Sequence, residues 1–155
     1  MENWKDLILD SEDMWPKNTH VDLEKPFEDS RGSIQMLVNT PMKNITLITS
    51  KVGALRANHY HLTDWHFMYM LSGKAEYHFR PAESKKKPKM VLWEEGELVF
   101  TPPMEEHTTV FLEESKFIAM SRNPRDQEAY EADVRRVKLV DPESIKNILK
   151  KYKSS

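Results

Sequence analysis

From Ser33 onward the chain alternates short apolar runs with turn residues. The runs at 33–38, 45–50, 57–61, 66–72, 74–80, 90–94, 97–101, 108–112 and 117–122 read as strands. Many short strands separated by turn signals predict a sandwich or a barrel. Ser72-Gly73 and Glu95-Gly96 read as tight turns between neighbouring strands. Before this region, residues 10–32 are polar, contain proline and carry no regular period, whereas Trp4, Leu7 and Ile8 have helical spacing. At the other end Asp141 can cap a helix and Pro142 suits its first turn. Ile145, Ile148, Leu149 and Tyr152 then form one apolar stripe, so a helix over about 142–152 is expected to lie on the outside of the sheet. Nothing repeats internally and no linker divides the chain, so residues 1–155 are expected to form one domain with its barrel core at about 33–122.

The charge balance narrows the choice of partners. With 23 basic and 25 acidic residues the net charge is −2, which carries no nucleic-acid or membrane signal. The cluster Lys85-Lys86-Lys87-Pro88-Lys89 reads as a solvated loop between strands. Absence of cysteine excludes disulfides and thiolate metal sites. The first residues lack the features of a signal peptide and no apolar run approaches a membrane span, so a cytoplasmic protein is expected.

The candidate chemistry lies in the histidines. Four of the six fall in two segments, 58–66 and the stretch after Pro102-Pro103. Residues two apart on a strand share a face, so His59 and His61 should aim at one point, where a third and fourth ligand could close around a metal. The competing reading of each is a hydrogen-bonded barrel histidine. His78 alternates with Tyr77 and Phe79 and should face away from the interior, and His20 lies in the irregular N-terminal stretch, so neither is read as a ligand.

These segments resemble the cupin superfamily. Its first motif runs Gly, five residues, His-x-His, three or four residues, Glu, six residues, Gly. Here Gly53, His59, His61 and Gly73 fall at those intervals, with His66 in place of the glutamate. The second motif is matched by Gly96, Pro102 and His107, while Met104 and Phe111 replace its Gly and Asn. The resemblance implies an all-β fold, a double-stranded β-helix or jelly-roll barrel, here with short terminal helices. It also implies one divalent transition metal held by His59, His61, His66 and His107. An all-imidazole shell suits zinc, nickel, iron or copper, and oxygen-seeking calcium and magnesium are disfavoured. Without the glutamate, such a site is expected to keep the ion's full charge.

A second resemblance is local. Glu28-Asp29-Ser30-Arg31-Gly32 and Arg56-Ala57-Asn58-His59-Tyr60-His61 look like two elements of the dTDP-sugar epimerases of rhamnose biosynthesis. In that family the histidine of the second element is the catalytic base, which implies such a role for His59. The arginines of both elements map onto Arg31 and Arg56, expected to grip an anionic part of the substrate at one mouth of the barrel. Tyr60 and Trp65 could stack on a sugar or base, against the plainer reading of strand packing. Tyr69 or Tyr77 could move a proton, and the sequence leaves open which faces inward. Residues 121–133 are similar to small cupins of surface-polysaccharide gene clusters.

Together these readings predict a metal-dependent enzyme acting on a small, anionic oxygenated substrate, isomerising or epimerising a sugar nucleotide or related carbohydrate. A metal-dependent dioxygenase and a non-catalytic small-molecule-binding cupin are the alternatives. A homodimer is expected, with Trp4, Leu7, Ile8, Met14 and Trp15 as apolar side chains to bury.

Overall fold

The structure is a computed structural model that describes residues 12–153. The helix expected around Trp4, Leu7 and Ile8 lies outside the described residues. Twelve strands and two helices follow in the described residues: β1 (His20–Val21), β2 (Phe27–Asp29), β3 (Gly32–Ile34), β4 (Asn44–Ser50), β5 (Leu55–His61), β6 (His66–Ser72), β7 (Lys74–Pro81), β8 (Lys89–Glu94), β9 (Leu98–Thr101), β10 (Glu105–Phe111), β11 (Ser115–Ser121), α1 (Gln127–Asp133), β12 (Val134–Arg136) and α2 (Ile145–Lys153). Ten of the strands build two five-stranded antiparallel sheets, ordered β1-β9-β6-β11-β4 and β12-β5-β10-β7-β8. β2 and β3 pair only with each other.

Alternation along the strands decides what lies between the sheets. From β6 Met68 and Met70 point inward, and they meet Tyr77, Trp93, Phe111 and Phe117 in the core. The intervening Phe67 and Tyr69 point outward and pack with Trp65, Phe100 and Met120 under Trp15, Leu23, Val38 and Met42 of the N-terminal stretch. The second sheet is covered by α2, whose Ile145, Ile148 and Tyr152 pack on Val110, Leu55 and Leu112. Asp141 caps the preceding turn by accepting from the Glu143 N–H. Gly73 joins β6 to β7 at φ +106°, and a Cβ there would sit 2.2 Å from Ser115 Oγ, so only glycine fits the turn.

Three expectations change. The run at 33–38 forms a strand only over Gly32–Ile34, in an exposed hairpin in which it pairs with β2 alone and joins neither large sheet. β1 and β12 extend the two sheets beyond 33–122; both are too short to show a period. Helix α1 was not expected either; Asp126 caps it by accepting from the Ala129 N–H. No helix among the described residues is long and apolar enough to cross a membrane.

Candidate metal centre and substrate cavity

The inner surface changes character along the barrel, from the aromatic core to a cluster of imidazoles. His59 and His61 come from β5, His66 from the start of β6 and His107 from β10. The register sets His107 beside His59. Ring centroids are 4.8 Å apart for His59–His61 and for His59–His107, 5.7 Å for His61–His66 and 5.2 Å for His66–His107. The ligand atoms of His59, His61 and His107 lie within 4.8 Å of one another, and so do those of His61, Asp64 and His66.

A backbone irregularity puts these groups on one face. Ala57 and Asn58 take positive φ, 76° and 56°, and the pairing with β10 skips a residue there. Such a bulge reverses the inward–outward phase of a strand. Before it Leu55 packs outward under α2 and Arg56 faces the cavity; after it His59 and His61 face the cavity. Asn58 holds the bulge in place: its side chain donates to the Val140 carbonyl (3.0 Å) and accepts from the Val140 N–H (3.1 Å).

Hydrogen bonds orient the imidazoles. His61 Nδ1 lies 3.2 Å from Asp133 Oδ2, at the end of α1. Asp133 also accepts from the Thr63 hydroxyl, the Thr63 N–H and the Asp64 N–H. Burial pushes the Asp133 carboxyl up, but these donors together hold it below its ordinary value. His107 Nδ1 lies 3.0 Å from the Glu105 carbonyl oxygen, which can only accept. With Nδ1 committed as donor, Nε2 of each ring keeps its lone pair for a ligand. Burial, then neighbouring imidazoles, pull His59 down to about 2, His66 well below its ordinary value and His107 to about 3; burial also moves His61 downward, against the pull of Asp133. Convergent imidazoles, two of them anchored from behind at His61 and His107, are a donor set that fits a divalent transition metal.

The cavity around them measures about 340 Å³ and is also lined by Arg56, Asp64, Thr109, Arg125 and Tyr130. A larger groove of about 1040 Å³ runs past Trp15, Pro102, Pro103 and Met104, but the imidazoles do not line it. Arg56 donates from Nε to Ser50 Oγ (2.7 Å) and from Nη2 to the Thr49 carbonyl (2.8 Å), which fixes its guanidinium at the rim. Tyr130, on α1, places its ring 5.7 Å from His61 and 6.2 Å from His59, with the Arg125 guanidinium 5.5 Å from the ring centroid.

Several residues named from the sequence lie elsewhere. Arg31 sits in the β2–β3 hairpin, doubly bonded to Asp29 and 83% exposed, and does not line the cavity. Tyr60 faces away from the imidazoles because it alternates with them on β5. Trp65 is fully buried against Phe67. Tyr69 is on the outward face of β6. Tyr77 does face inward, where its ring stacks under His107 at 6.2 Å, but it is fully buried and its hydroxyl bonds Thr101. His78 pairs with Glu76 (3.0 Å) on the outside of β7, and His20 lies beside Glu97. Asp64, Arg125, Tyr130 and Asp133 were missed. Asp64 had a local signal, its place between His61 and His66; the other three become neighbours only when residues 122–133 fold back over the barrel mouth.

Comparison with known proteins agrees with this architecture. No curated protein matches the chain. The dTDP-4-dehydrorhamnose 3,5-epimerase from Sulfolobus tokodaii superimposes with a TM-score of 0.59 at 15% identity, covering 80% of this chain and 86% of that one. QdtA, a sugar 3,4-ketoisomerase from Thermoanaerobacterium thermosaccharolyticum solved with TDP, gives 0.58 at 14% identity, covering 83% and 91%. The capsular polysaccharide assembling protein CapF from Staphylococcus aureus gives 0.53 at 22% identity over 76% of this chain. The chain spans only 32% of CapF. These likenesses establish the jelly-roll cupin fold. The family model of the polysaccharide biosynthesis C-terminal domain matches residues 27–131, more than half of the sequence, and the chain belongs to that family.

Proposed function

We propose that this chain is a metal-dependent enzyme that isomerises or epimerises an anionic sugar, most simply a nucleotide sugar, by proton transfer next to a carbonyl. The observation that carries the reading is the convergence of four neutral imidazoles with Arg56, Arg125 and Tyr130 in one cavity. The structural relatives named above as an epimerase and a ketoisomerase support the same reaction class.

His59, His61, His66 and His107 would hold the ion. A divalent metal there supplies Lewis acidity toward a carbonyl oxygen. Arg56 and Arg125 bind the anionic part of the substrate and orient it over the imidazoles. Burial raises the Tyr130 hydroxyl above its ordinary pKa while Arg125 and Arg136 lower it. Ionised by the added positive charge of a bound metal, Tyr130 Oη at the cavity wall would accept the proton from the carbon next to the carbonyl and donate it back at the new position. In this reading Tyr130 takes the place first considered for Tyr69 and Tyr77, because Tyr69 faces outward and the Tyr77 hydroxyl is committed to Thr101.

The test uses protein purified without an affinity tag. One equivalent of transition metal is expected per chain. Anaerobic incubation with TDP-4-keto-6-deoxyglucose in deuterated water should put deuterium next to the carbonyl, and the Tyr130→Phe variant should slow this by about 10²-fold or more. Metal-loaded protein that incorporates no deuterium, or metal-free protein that incorporates as much as the loaded form, would refute the reading.

A homodimer is part of the proposal. On the outward side of β4, Ile45 and Leu47 are 68% and 62% exposed, and the hairpin adds Phe27 and Ile34 at 59% and 68%. Light scattering should give twice the chain mass of 18.3 kDa at micromolar concentration, and the single-chain mass would reject it.

A further inference from the structure

We propose that Asp64 binds the metal directly, as the one anionic ligand of the site; the inference rests on the metal reading above. Asp64 lies in the loop between β5 and β6 and is only 9% exposed. Two hydrogen bonds fix it. Its N–H donates to Asp133 Oδ2 (3.1 Å), and its Oδ1 accepts from the Asn123 N–H (2.9 Å). Among the described residues no hydrogen bond reaches Oδ2. The carboxylate lines the imidazole cavity, and its ligand oxygen lies within 4.8 Å of the ligand nitrogens of His61 and His66.

Charge gives the reason. Four neutral imidazoles leave a divalent ion with its full charge in a partly desolvated cavity that Arg56 and Arg125 also line. An uncompensated charge in such a place is strongly unfavourable. Among the described residues that line the cavity Asp64 is the only carboxylate; Asp133 stands one layer back, behind His61. Without a metal, Asp64 is a largely buried carboxylate beside a second carboxylate, favoured in its charged form by Arg122 and Arg125, with Oδ2 open to the cavity and without a hydrogen bond among the described residues. A metal supplies the missing partner for that oxygen. The sequence expectation of an uncompensated four-histidine site is thereby revised: His66 replaces the glutamate of the cupin pattern, and a carboxylate two residues earlier restores the negative charge.

The competing role is purely structural, with Asp64 only pinning residue 123 to the loop. Zinc affinity, measured by competition with a chromogenic chelator, separates the two. Asp64→Asn keeps the shape and an acceptor for the Asn123 N–H but removes the charge. It should weaken zinc binding by at least about tenfold and alter the visible spectrum of the cobalt-substituted protein, because a carboxylate oxygen leaves the shell. It should also tighten azide binding to the cobalt site. Unchanged affinity and spectrum would overturn the inference while leaving the histidine site intact. Wild-type protein that binds no zinc would instead overturn the metal reading itself. Crystals of the zinc-loaded wild type give a check that needs no variant: an Asp64 oxygen at about 2.0–2.2 Å from the ion is expected, and one beyond about 3 Å refutes ligation.

Discussion

Strands β5 and β7 flank β10 in the same sheet, yet they distribute their side chains differently. Along β7 the alternation is unbroken. Ala75, Tyr77 and Phe79 face the interior, while Glu76 and His78 face outward, where Glu76 also accepts from the Tyr152 hydroxyl of α2. Along β5 the positive-φ pair Ala57-Asn58 breaks the period, so Arg56 and His59, three residues apart, reach the same cavity. A regular strand would have placed them on opposite faces. A strand that only builds a wall can be read by its period. A strand that assembles a site from both sides of a bulge cannot.

The sharpest way to break this contrast is to remove one inward and one outward imidazole of the same sheet. His107→Ala should abolish metal retention, whereas His78→Ala should keep the full metal content, as elemental analysis of both variants would show. Metal retained by the His107 variant would mean that the cluster does not bind as a unit.

Next in size is the bulge itself. Asn58→Val puts a β-branched residue at φ 56° and deletes both bonds to Val140. It should destabilise the metal-free protein by about 3 kcal/mol or more. Asn58→Gly keeps the backbone and loses only the bonds, at about 1–2 kcal/mol. Urea unfolding measures both, and equal losses would show that the left-handed backbone carries no strain.

Acid should reveal the imidazole side of the comparison. Folded pKa values of His59, His61, His66 and His107 lie below the ordinary 6.5. Their contribution is therefore present above pH 6.5 and is lost as pH falls from there toward the folded values. Asp64 and Glu105 are pushed up by burial, to about 7 and about 8, and act in the opposite sense over the same range. The lowered imidazoles outweigh the two raised carboxyls, so unfolding near pH 5 takes up protons overall. Metal-free protein should lose stability from pH 7 to pH 5, and a flat or rising profile in thermal melts would contradict this.

The smallest effect belongs to the outward face of β7. Tyr152→Phe removes the 2.5 Å bond to the buried Glu76 carboxylate and should cost about 1–2 kcal/mol in urea without changing metal content. A change in metal binding would link the two faces of the sheet, which the alternation along β7 does not predict.

The sequence by itself determined much of the barrel. The run 66–72 matches β6, and the expected strands over 45–50, 57–61, 74–80, 90–94 and 117–122 each fall within a few residues of an observed one. Period-two alternation and glycine turns are local properties, so they are legible without a partner. Strand spacing put His59 and His61 on one face, and the resemblance to the cupin motifs brought His66 and His107 into the same candidate set. What only the tertiary structure decided was the rest of the site. The phase of Arg56 depends on a bulge stabilised by Val140, far along the chain. Asp133 and Tyr130 reach His61 because α1 folds across the mouth of the barrel, and Arg31 stays outside because its hairpin pairs only with itself. Those placements rest on contacts between distant residues, and no window of sequence contains both partners.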